Sequence, residues 1–180
     1  VDAAVAKFGT IDVLVNNAGY GQLGMFEEIS PEAIQAQFAV NVFGVFNVTR
    51  KVLPIMRGQN SGHIITISSM AGYTGLPSGS VYCASKFGVA GWLEALGREM
   101  RGFGVRTTVV YPGYFRTDFL DESSLRLGDI EIADYAAQSE TDTQRREEKN
   151  HAQAGDPARL GDAIVKLANA EKPPAHFAAG

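Results

Sequence analysis

Tyr82 and Lys86 are the two residues of this sequence whose types and spacing most directly indicate chemistry. Residues four apart lie on one face of a helix, so the phenol and the ammonium point into the same space. A neighbouring cation stabilises the phenolate and lowers the pKa of a tyrosine from its ordinary value of about 10. The spacing therefore predicts that Tyr82 acts as an acid or a base near neutral pH.

Ser69 ends a strand-like run and precedes the helix that carries Tyr82. Three glycines in the intervening residues 70–81 suit a chain that turns back and brings the Ser69 hydroxyl to the tyrosine. A hydroxyl at that position can donate to a substrate oxygen. Each residue also has a purely structural interpretation: Tyr82 as a half-buried helix residue, Lys86 as a surface cation and Ser69 as a strand end.

Five motifs follow one another along the chain. They occupy residues 11–19 (IDVLVNNAG), 38–44 (FAVNVFG), 64–69 (IITISS), 82–86 (YCASK) and 112–117 (PGYFRT). In this order the chain resembles the short-chain dehydrogenase/reductase family, in its branch of single-domain NAD(P)-dependent oxidoreductases. The resemblance covers residues 1–120 and, more weakly, residues 156–180.

The resemblance implies hydride transfer between a nicotinamide and a carbonyl or alcohol carbon, with Tyr82 giving or taking the proton. It also implies that Ser69 orients the reacting oxygen, and that Lys86 binds the nicotinamide ribose and lowers the tyrosine pKa. Asn41 would hold a water in the proton relay, or alternatively cap a local kink in its helix. The implied cofactor contacts are Asn17, Ala18, Gly19, Tyr82, Lys86, Pro112, Gly113, Phe115 and Thr117.

The substrate is expected to be a hydrophobic ketone or secondary alcohol. The expected lining residues are Tyr73, Leu76, Tyr114, Phe119 and Leu120. Phe115 departs from the aliphatic residue common in the family, so its contact stays open, as does the choice between NAD and NADP. Two other classes of protein are alternatives. A non-catalytic nucleotide sensor on the same fold would be expected to lack Ser69, Tyr82 or Lys86. A nucleotide-sugar epimerase or dehydratase would be expected to carry a larger substrate domain.

Alternating strand and helix patterns predict an α/β fold, a Rossmann-like doubly wound parallel sheet in three αβα layers. Strands are predicted at 11–18, 62–69, 105–111 and 175–179, and helices at 31–57, 79–103 and 156–170. Residues 1–180 are expected to form one partial catalytic domain, with 114–155 as a substrate lid, although the charged part equally suits a solvated helix. The chain opens in a helix end without methionine, so the first βαβ units, roughly 60 residues, are expected upstream.

Residues 19–24 match G-x-G-x-x-G but fail the other tests of a dinucleotide-binding loop. No helix pattern begins at these glycines, and no acidic residue occurs from 33 to 93. We therefore expect a flexible loop on the substrate side. The fragment alone is expected to bind NAD(P) poorly, with an open groove along residues 11–18 where upstream strands would lie.

Composition narrows the possible partners. Sixteen basic and twenty acidic residues give a net charge of −4 without a Lys/Arg cluster, which argues against nucleic acid. No apolar run is long enough to cross a bilayer, and the single cysteine, Cys83, is expected to pack as a small apolar group, so a cytoplasmic protein is expected. The three histidines show no metal-ligand spacing, and no metal is expected.

Helices 31–57 and 79–103 carry few charges. By the resemblance they pack against their copies in a homodimer or homotetramer. An isologous interface needs a self-complementary apolar surface. The residues expected to supply it are Phe38, Val42, Phe46, Val89 and Trp92.

Overall fold

A computed structural model describes all 180 residues, Val1–Gly180. Its strands are β1 (Val13–Asn16), β2 (Gly21–Gln22), β3 (Gly62–Ile67), β4 (Val105–Pro112), β5 (Leu125–Arg126) and β6 (His176–Ala179). Its α-helices are α1 (Asp2–Phe8), α2 (Pro31–Phe38), α3 (Val45–Gln59), α4 (Ser80–Glu99), α5 (Ala136–Lys149) and α6 (Pro157–Ala168). The predicted alternation of strands and helices is therefore present. For most of the predicted elements, the ends differ from the prediction by one to three residues.

Four strands form one parallel sheet in the order β1-β3-β4-β6. The register sets Val13 opposite His63 and Val109 opposite His176. β1 is an edge strand, and Val13 and Val15 are 37% and 40% exposed. An open groove was expected along residues 11–18, and the side chains exposed at this edge are those of Val13 and Val15, while Asn16 is buried.

Apolar side chains cover both faces of the sheet. On one face Met56 of α3 and Leu93 of α4 pack with Ile64, all fully buried. On the other face Leu167 of α6 packs with Ile65 and Val110. Parallel strands buried on both sides need such continuous apolar runs, and the predicted three-layer αβα arrangement is confirmed.

The predicted helix 31–57 is divided in the structure. Its start is as the sequence indicates: the Ser30 hydroxyl accepts from the Ala33 amide at 3.2 Å, and Pro31 occupies the first helical turn. A π-helical turn, Ala39–Gly44, then separates α2 from α3. Asn41 and Val42 are buried in this turn, and π-helical turns are frequent at functional sites.

The glycine-containing residues 19–24 do not form the expected free loop. Gly21 and Gln22 form β2, which pairs in parallel with Leu125 and Arg126 of β5. Gly24 has φ +142°, and a Cβ there would lie 3.1 Å from the Gly128 amide nitrogen, so glycine is required. A short 3-10 turn, Phe26–Glu28, follows instead of a helix, so these glycines are not a dinucleotide-binding turn.

Residues 114–155 contain two 3-10 turns, β5 and the charged helix α5, which buries no side chain. None of the helices is both long and apolar enough to span a membrane.

Candidate active site

Three polar chain segments meet at one edge of the sheet. Residues 17–19 follow β1, Ser68 and Ser69 follow β3, and Gly113 follows β4. Because the strands are parallel, their carboxyl ends lie side by side, which is where α/β sheets bind ligands.

Gly72 lets the chain return from β3 to α4. The 3-10 turn Met70–Gly72 begins at Ser69, whose hydroxyl accepts from the Ala71 amide at 3.1 Å. A Cβ on Gly72 would lie 2.2 Å from the Ser68 hydroxyl and 2.8 Å from the Lys86 carbonyl. The Ser68 hydroxyl donates to that same carbonyl at 3.0 Å. The predicted turn is therefore present, and it holds β3 against the helix that carries Tyr82 and Lys86.

Tyr82 is 7% exposed and packs with Ala71, Cys83 and Phe119. Burial raises the pKa of Tyr82 to about 12, because the phenolate loses its hydration. The Ser69 hydroxyl lies near enough to lower this pKa, but by less than burial raises it. The prediction that Lys86 lowers the pKa of Tyr82 below its ordinary value is therefore wrong for the protein without a bound ligand.

Lys86 is buried and forms no ion pair. Its Nζ lies 5.7 Å from the centre of the Tyr82 ring and donates to the Ile67 carbonyl at 3.0 Å. Burial lowers the pKa of Lys86 to about 8. An ammonium has three donors, and the Ile67 carbonyl is its one protein acceptor, so Lys86 retains donors for a ligand.

Asn41 lies in the π-helical turn and is 2% exposed. Its amide pairs with both main-chain groups of Tyr20: the Tyr20 N–H donates to Oδ1 at 3.1 Å, and Nδ2 donates to the Tyr20 carbonyl at 2.9 Å. Nδ2 also donates to the Ser85 hydroxyl at 3.2 Å. Asn41 therefore holds the segment beside Lys86, and its side chain does not cap its own helix.

Gly19 lies between Asn41 and Lys86. A Cβ there would lie 3.1 Å from Asn41 Oδ1 and 3.6 Å from Lys86 Nζ. The absence of a side chain leaves the space over the lysine open. This arrangement fits a hydroxyl-bearing ligand such as a nucleotide ribose, which would accept from the ammonium.

Gln37 is a site residue that sequence reasoning missed. It is fully buried one helical turn before Asn41. Its Nε2 donates to the Tyr20 carbonyl at 2.7 Å, and its Oε1 accepts from the Gln22 N–H at 3.2 Å. Two amide side chains four residues apart in an apolar helix are the sequence signal that indicates this role.

The remaining predicted cofactor residues lie at the same edge. Asn17 and Ala18 are exposed after β1, where buried Asn16 donates to the hydroxyls of Thr49 and Thr66 at 3.1 and 3.3 Å. Pro112 ends β4, and the Gly113 N–H donates to the Ala179 carbonyl at 2.7 Å. Phe115 forms a parallel bridge with Gly155, and the Thr117 hydroxyl caps the turn Asp118–Leu120 by accepting from Phe119.

A model of the family described as short chain dehydrogenase matches residues 1–127. This match covers more than half of the chain. The chain belongs to the short-chain dehydrogenase family.

Individual relatives agree with this assignment. The chain is 38% identical over 174 residues to a 3-ketodihydrosphingosine reductase of Bacteroides thetaiotaomicron, covering 97% of this chain and 64% of that protein. It superposes on a short-chain dehydrogenase from Streptomyces avermitilis with a TM-score of 0.87 and 35% identity, covering 99% of this chain and 64% of that one. It also superposes on a gluconate 5-dehydrogenase from Burkholderia cenocepacia in complex with NADP and tartrate. That superposition has a TM-score of 0.64 and 32% identity, and it covers 67% of this chain and 47% of that one. The chain thus spans 64% or less of the length of these family members.

The five predicted substrate residues do not converge on Tyr82. Phe119 is the one with a ring contact to Tyr82, at 5.7 Å between centroids, and Leu120 follows it in the same turn, half-buried. The exposed Tyr73 ring lies 6.0 Å from Tyr111 instead, and the Leu76 amide donates to Cys83 Sγ at 3.4 Å. The exposed Tyr114 ring lies under Lys149, whose Nζ is 5.0 Å from its centroid.

Residues 114–155 are attached to the segment that precedes α2. The Ser30 N–H and hydroxyl donate to the Asp129 carboxylate at 2.8 and 2.6 Å. The Ser139 hydroxyl of α5 donates to buried Glu28 at 3.0 Å. Further hydrogen bonds join Ser78 with Asp142, and Tyr135 with Glu27.

The three histidines lie outside the site around Tyr82. Cys83 packs beside Tyr82 as a buried thiol. His63 is buried with Nε2 2.9 Å from the Thr108 hydroxyl, and His176 lies 3.0 Å from the Tyr111 hydroxyl. His151 pairs with Asp121 at 3.1 Å, and the ligand atoms of both lie within 4.8 Å of Asp118. The sequence spacing gave no sign of this surface cluster, because residues about thirty apart form it.

Proposed function

We propose that this protein is an NAD(P)-dependent oxidoreductase that interconverts a hydrophobic ketone and a secondary alcohol. The observation that carries the proposal is a buried, unpaired Lys86 beside buried Tyr82, with the Ser69 hydroxyl next to them at the ends of the parallel strands. A relative that is 32% identical over part of the chain binds NADP, which supports the same kind of cofactor here.

The residues fit a nicotinamide nucleotide. Lys86 has donors free for ribose hydroxyls, Gly19 leaves the space above it open, and Asn17 and Ala18 are exposed on the same side. We assign the further contacts to Pro112, Gly113, Phe115 and Thr117, after the neighbouring strand. When bound, the nicotinamide supplies or accepts the hydride.

Tyr82 carries the proton in this proposal. Its raised pKa keeps the phenol protonated at neutral pH, so in carbonyl reduction it can donate to the carbonyl oxygen. The nearby Lys86 ammonium then stabilises the phenolate that forms. The Ser69 hydroxyl accepts from Ala71, and its own hydrogen, which is directed to Tyr82 in the protein alone, can be donated to the substrate oxygen when substrate binds.

Asn41 acts through the chain segment that it holds. Its Oδ1 accepts one bond, from Tyr20, and a carbonyl oxygen has two lone pairs. The second lone pair is available to a water that passes protons to and from Lys86. We propose that Phe119 and Leu120 supply the apolar wall nearest Tyr82, with Tyr73, Leu76 and Tyr114 further out, and that 114–155 closes over the substrate as a lid on one catalytic domain.

We further propose a homodimer or homotetramer in which helices 31–57 and 79–103 pack against their copies, since the exposed side chains of Phe43 and Phe87 need a cover. Cys83 as a lone buried thiol supports a reducing compartment such as the cytoplasm.

Tyr82→Phe in the full-length protein tests the proposal. The phenyl ring keeps the packing and deletes the proton donor, so turnover of a ketone panel should fall at least about a hundredfold, with nicotinamide cofactor affinity nearly unchanged. Tyr111→Phe is the matched control, because it removes a hydroxyl from another buried tyrosine and should keep activity. A Tyr82→Phe protein with more than about a tenth of the wild-type rate would contradict the assignment.

A further inference from the structure

A small cavity of about 150 Å³ lies beside β2 and β5, outside the Tyr82 site. Four polar side chains and one apolar side chain line it: Tyr20, Ser123, Ser124, Leu125 and Arg126. The β2–β5 pairing fixes the cavity wall, because the Gly21 N–H donates to the Ser124 carbonyl at 3.0 Å and the Leu23 N–H donates to the Arg126 carbonyl at 2.9 Å. The Tyr20 main chain is held in turn by Asn41 and Gln37.

Arg126 gives this cavity a positive charge that no protein carboxylate neutralises. It forms no ion pair, although the chain as a whole has a net charge of −4. One guanidinium nitrogen, Nη1, donates to the main-chain carbonyls of Glu122 at 2.5 Å and Leu125 at 3.4 Å. The other edge of the guanidinium, Nε and Nη2, has no protein acceptor and is the fork that binds a carboxylate through two parallel bonds.

The cavity is separated from Tyr82 by a thin layer of side chains. Leu125 belongs to the cavity wall, and a Cβ on Gly21 would lie 3.0 Å from Leu125 Cδ1 and 3.3 Å from Phe119 Cζ. The Phe119 ring in turn lies 5.7 Å from the Tyr82 ring. Leu125 and Arg126 are consecutive in β5, so buried Leu125 faces Phe119 while exposed Arg126 lies on the opposite side of the strand. A substrate that reacts at Tyr82 and reaches Arg126 would therefore extend past Phe119 and around the edge of β5.

We propose that this cavity binds a carboxylate at the end of the substrate remote from the reacting carbonyl. Arg126 holds the two carboxylate oxygens, and the hydroxyls of Tyr20 and Ser124 add donors. The substrate class is then a keto acid, or the corresponding hydroxy acid, whose middle is apolar. This assignment rests on the proposed oxidoreductase function, and it adds a polar anchor to the apolar lining.

The test uses the full-length protein and a panel of keto acids of increasing chain length, each paired with its methyl ester. The ester keeps the carbonyl and the apolar chain and removes the charge. Wild type should prefer one acid over its ester in kcat/KM, and Arg126→Gln should lower kcat/KM for that acid about tenfold to a hundredfold, as expected for charge-assisted hydrogen bonds. The ester should change less than about threefold, within the range of surface substitutions.

Two further variants complete the test. Arg126→Lys keeps the charge but lacks the two-bond fork, so its loss should be intermediate. Arg98→Gln removes an exposed arginine of α4 that pairs with Glu94, and its acid-to-ester ratio should equal that of wild type. An acid-to-ester ratio that Arg126→Gln leaves unchanged, or esters preferred at every chain length, overturns the carboxylate site. Failure of wild type to reduce any ketone overturns the oxidoreductase function instead.

Discussion

Burial acts on Tyr82 and Lys86 in the same sense, since it favours the uncharged form of each. It raises the pKa of the phenol to about 12 and lowers the pKa of the ammonium to about 8. Near pH 7 both groups therefore carry their protons, which is the state that carbonyl reduction requires. Alcohol oxidation requires the phenolate and is opposed by the same burial.

The rate of carbonyl reduction is expected to fall as the pH rises through about 8. The pKa of Lys86 is lowered, so the ammonium loses its proton in that range while Tyr82 keeps its own. Without the ammonium, the phenolate left by proton transfer is less stable. A kcat profile of the full-length protein with saturating substrates checks this, and a profile that stays flat from neutral pH to pH 10 would contradict it.

Gln37 is expected to act as a positioning residue for the segment beside Lys86. Gln37→Met keeps the volume and removes two buried bonds to Tyr20 and Gln22, each contributing about 1 kcal/mol. The KM for the nicotinamide cofactor should rise about tenfold, with a smaller fall in kcat, because the segment beside the lysine loses its anchor.

Gln35→Met, an exposed position of the same helix, is the control. Gln37→Glu keeps the acceptor for Gln22 but places a second oxygen against the Tyr20 carbonyl in a fully buried position, so it should restore the KM only at low pH, where the carboxyl is protonated and can donate to Tyr20. A Gln37→Met protein that loses thermal stability but keeps its cofactor KM would show that the residue is merely structural.

The sequence indicates the tyrosine site well because its signals are local. The four-residue spacing of Tyr82 and Lys86 fixes a shared helix face, and the glycines after Ser69 indicate the return of the chain. The pKa directions could not be predicted in this way. They depend on how deeply distant parts of the chain bury the two groups, and a cation nearby does not offset that burial.

At the scale of elements, the long-range pairing of β2 with β5 is what the sequence does not reveal. Each strand has two residues, too few for an alternating pattern, and about a hundred residues separate them. The π-helical turn Ala39–Gly44 is hidden for a different reason, since its residues fit an ordinary helix pattern equally well. The strands and helices of the main sheet, by contrast, follow from runs of apolar residues.

Asp129 is expected to fix the segment 114–155 to the turn before α2. Its carboxylate accepts two hydrogen bonds from Ser30, which lower the pKa of Asp129 and keep it ionised well below neutral pH. Asp129→Ala removes both bonds, so trypsin should cleave faster within α5, which contains Arg145, Arg146 and Lys149. Asp134→Ala, at an exposed position of the same segment, is the control, and equal cleavage rates for the two variants would contradict the role of Asp129.

At the scale of the whole molecule, the apolar surface lies on different residues from those predicted. Val42 and Val89 were expected at a subunit interface, but both are buried in the monomer. The exposed large apolar side chains within residues 31–57 and 79–103 are Val40, Phe43, Val48, Phe87 and Phe103. Val42 and Phe43 are consecutive in the π-helical turn, and Val42 faces inward while Phe43 faces the solvent.

Phe43 is the residue through which this surface is best tested. It is 54% exposed and stacks edge-on against Phe46, which contacts Trp92, so one aromatic row runs from the solvent into the monomer. If two copies bury this row at a two-fold axis, each Phe43→Glu substitution is present twice and places like charges together. Light scattering of the full-length protein should then show dimer or tetramer for wild type and monomer for Phe43→Glu. Phe26→Glu, at a position that is 62% exposed and lies outside helices 31–57 and 79–103, should assemble normally. A wild type that is monomeric at micromolar concentration would contradict the interface.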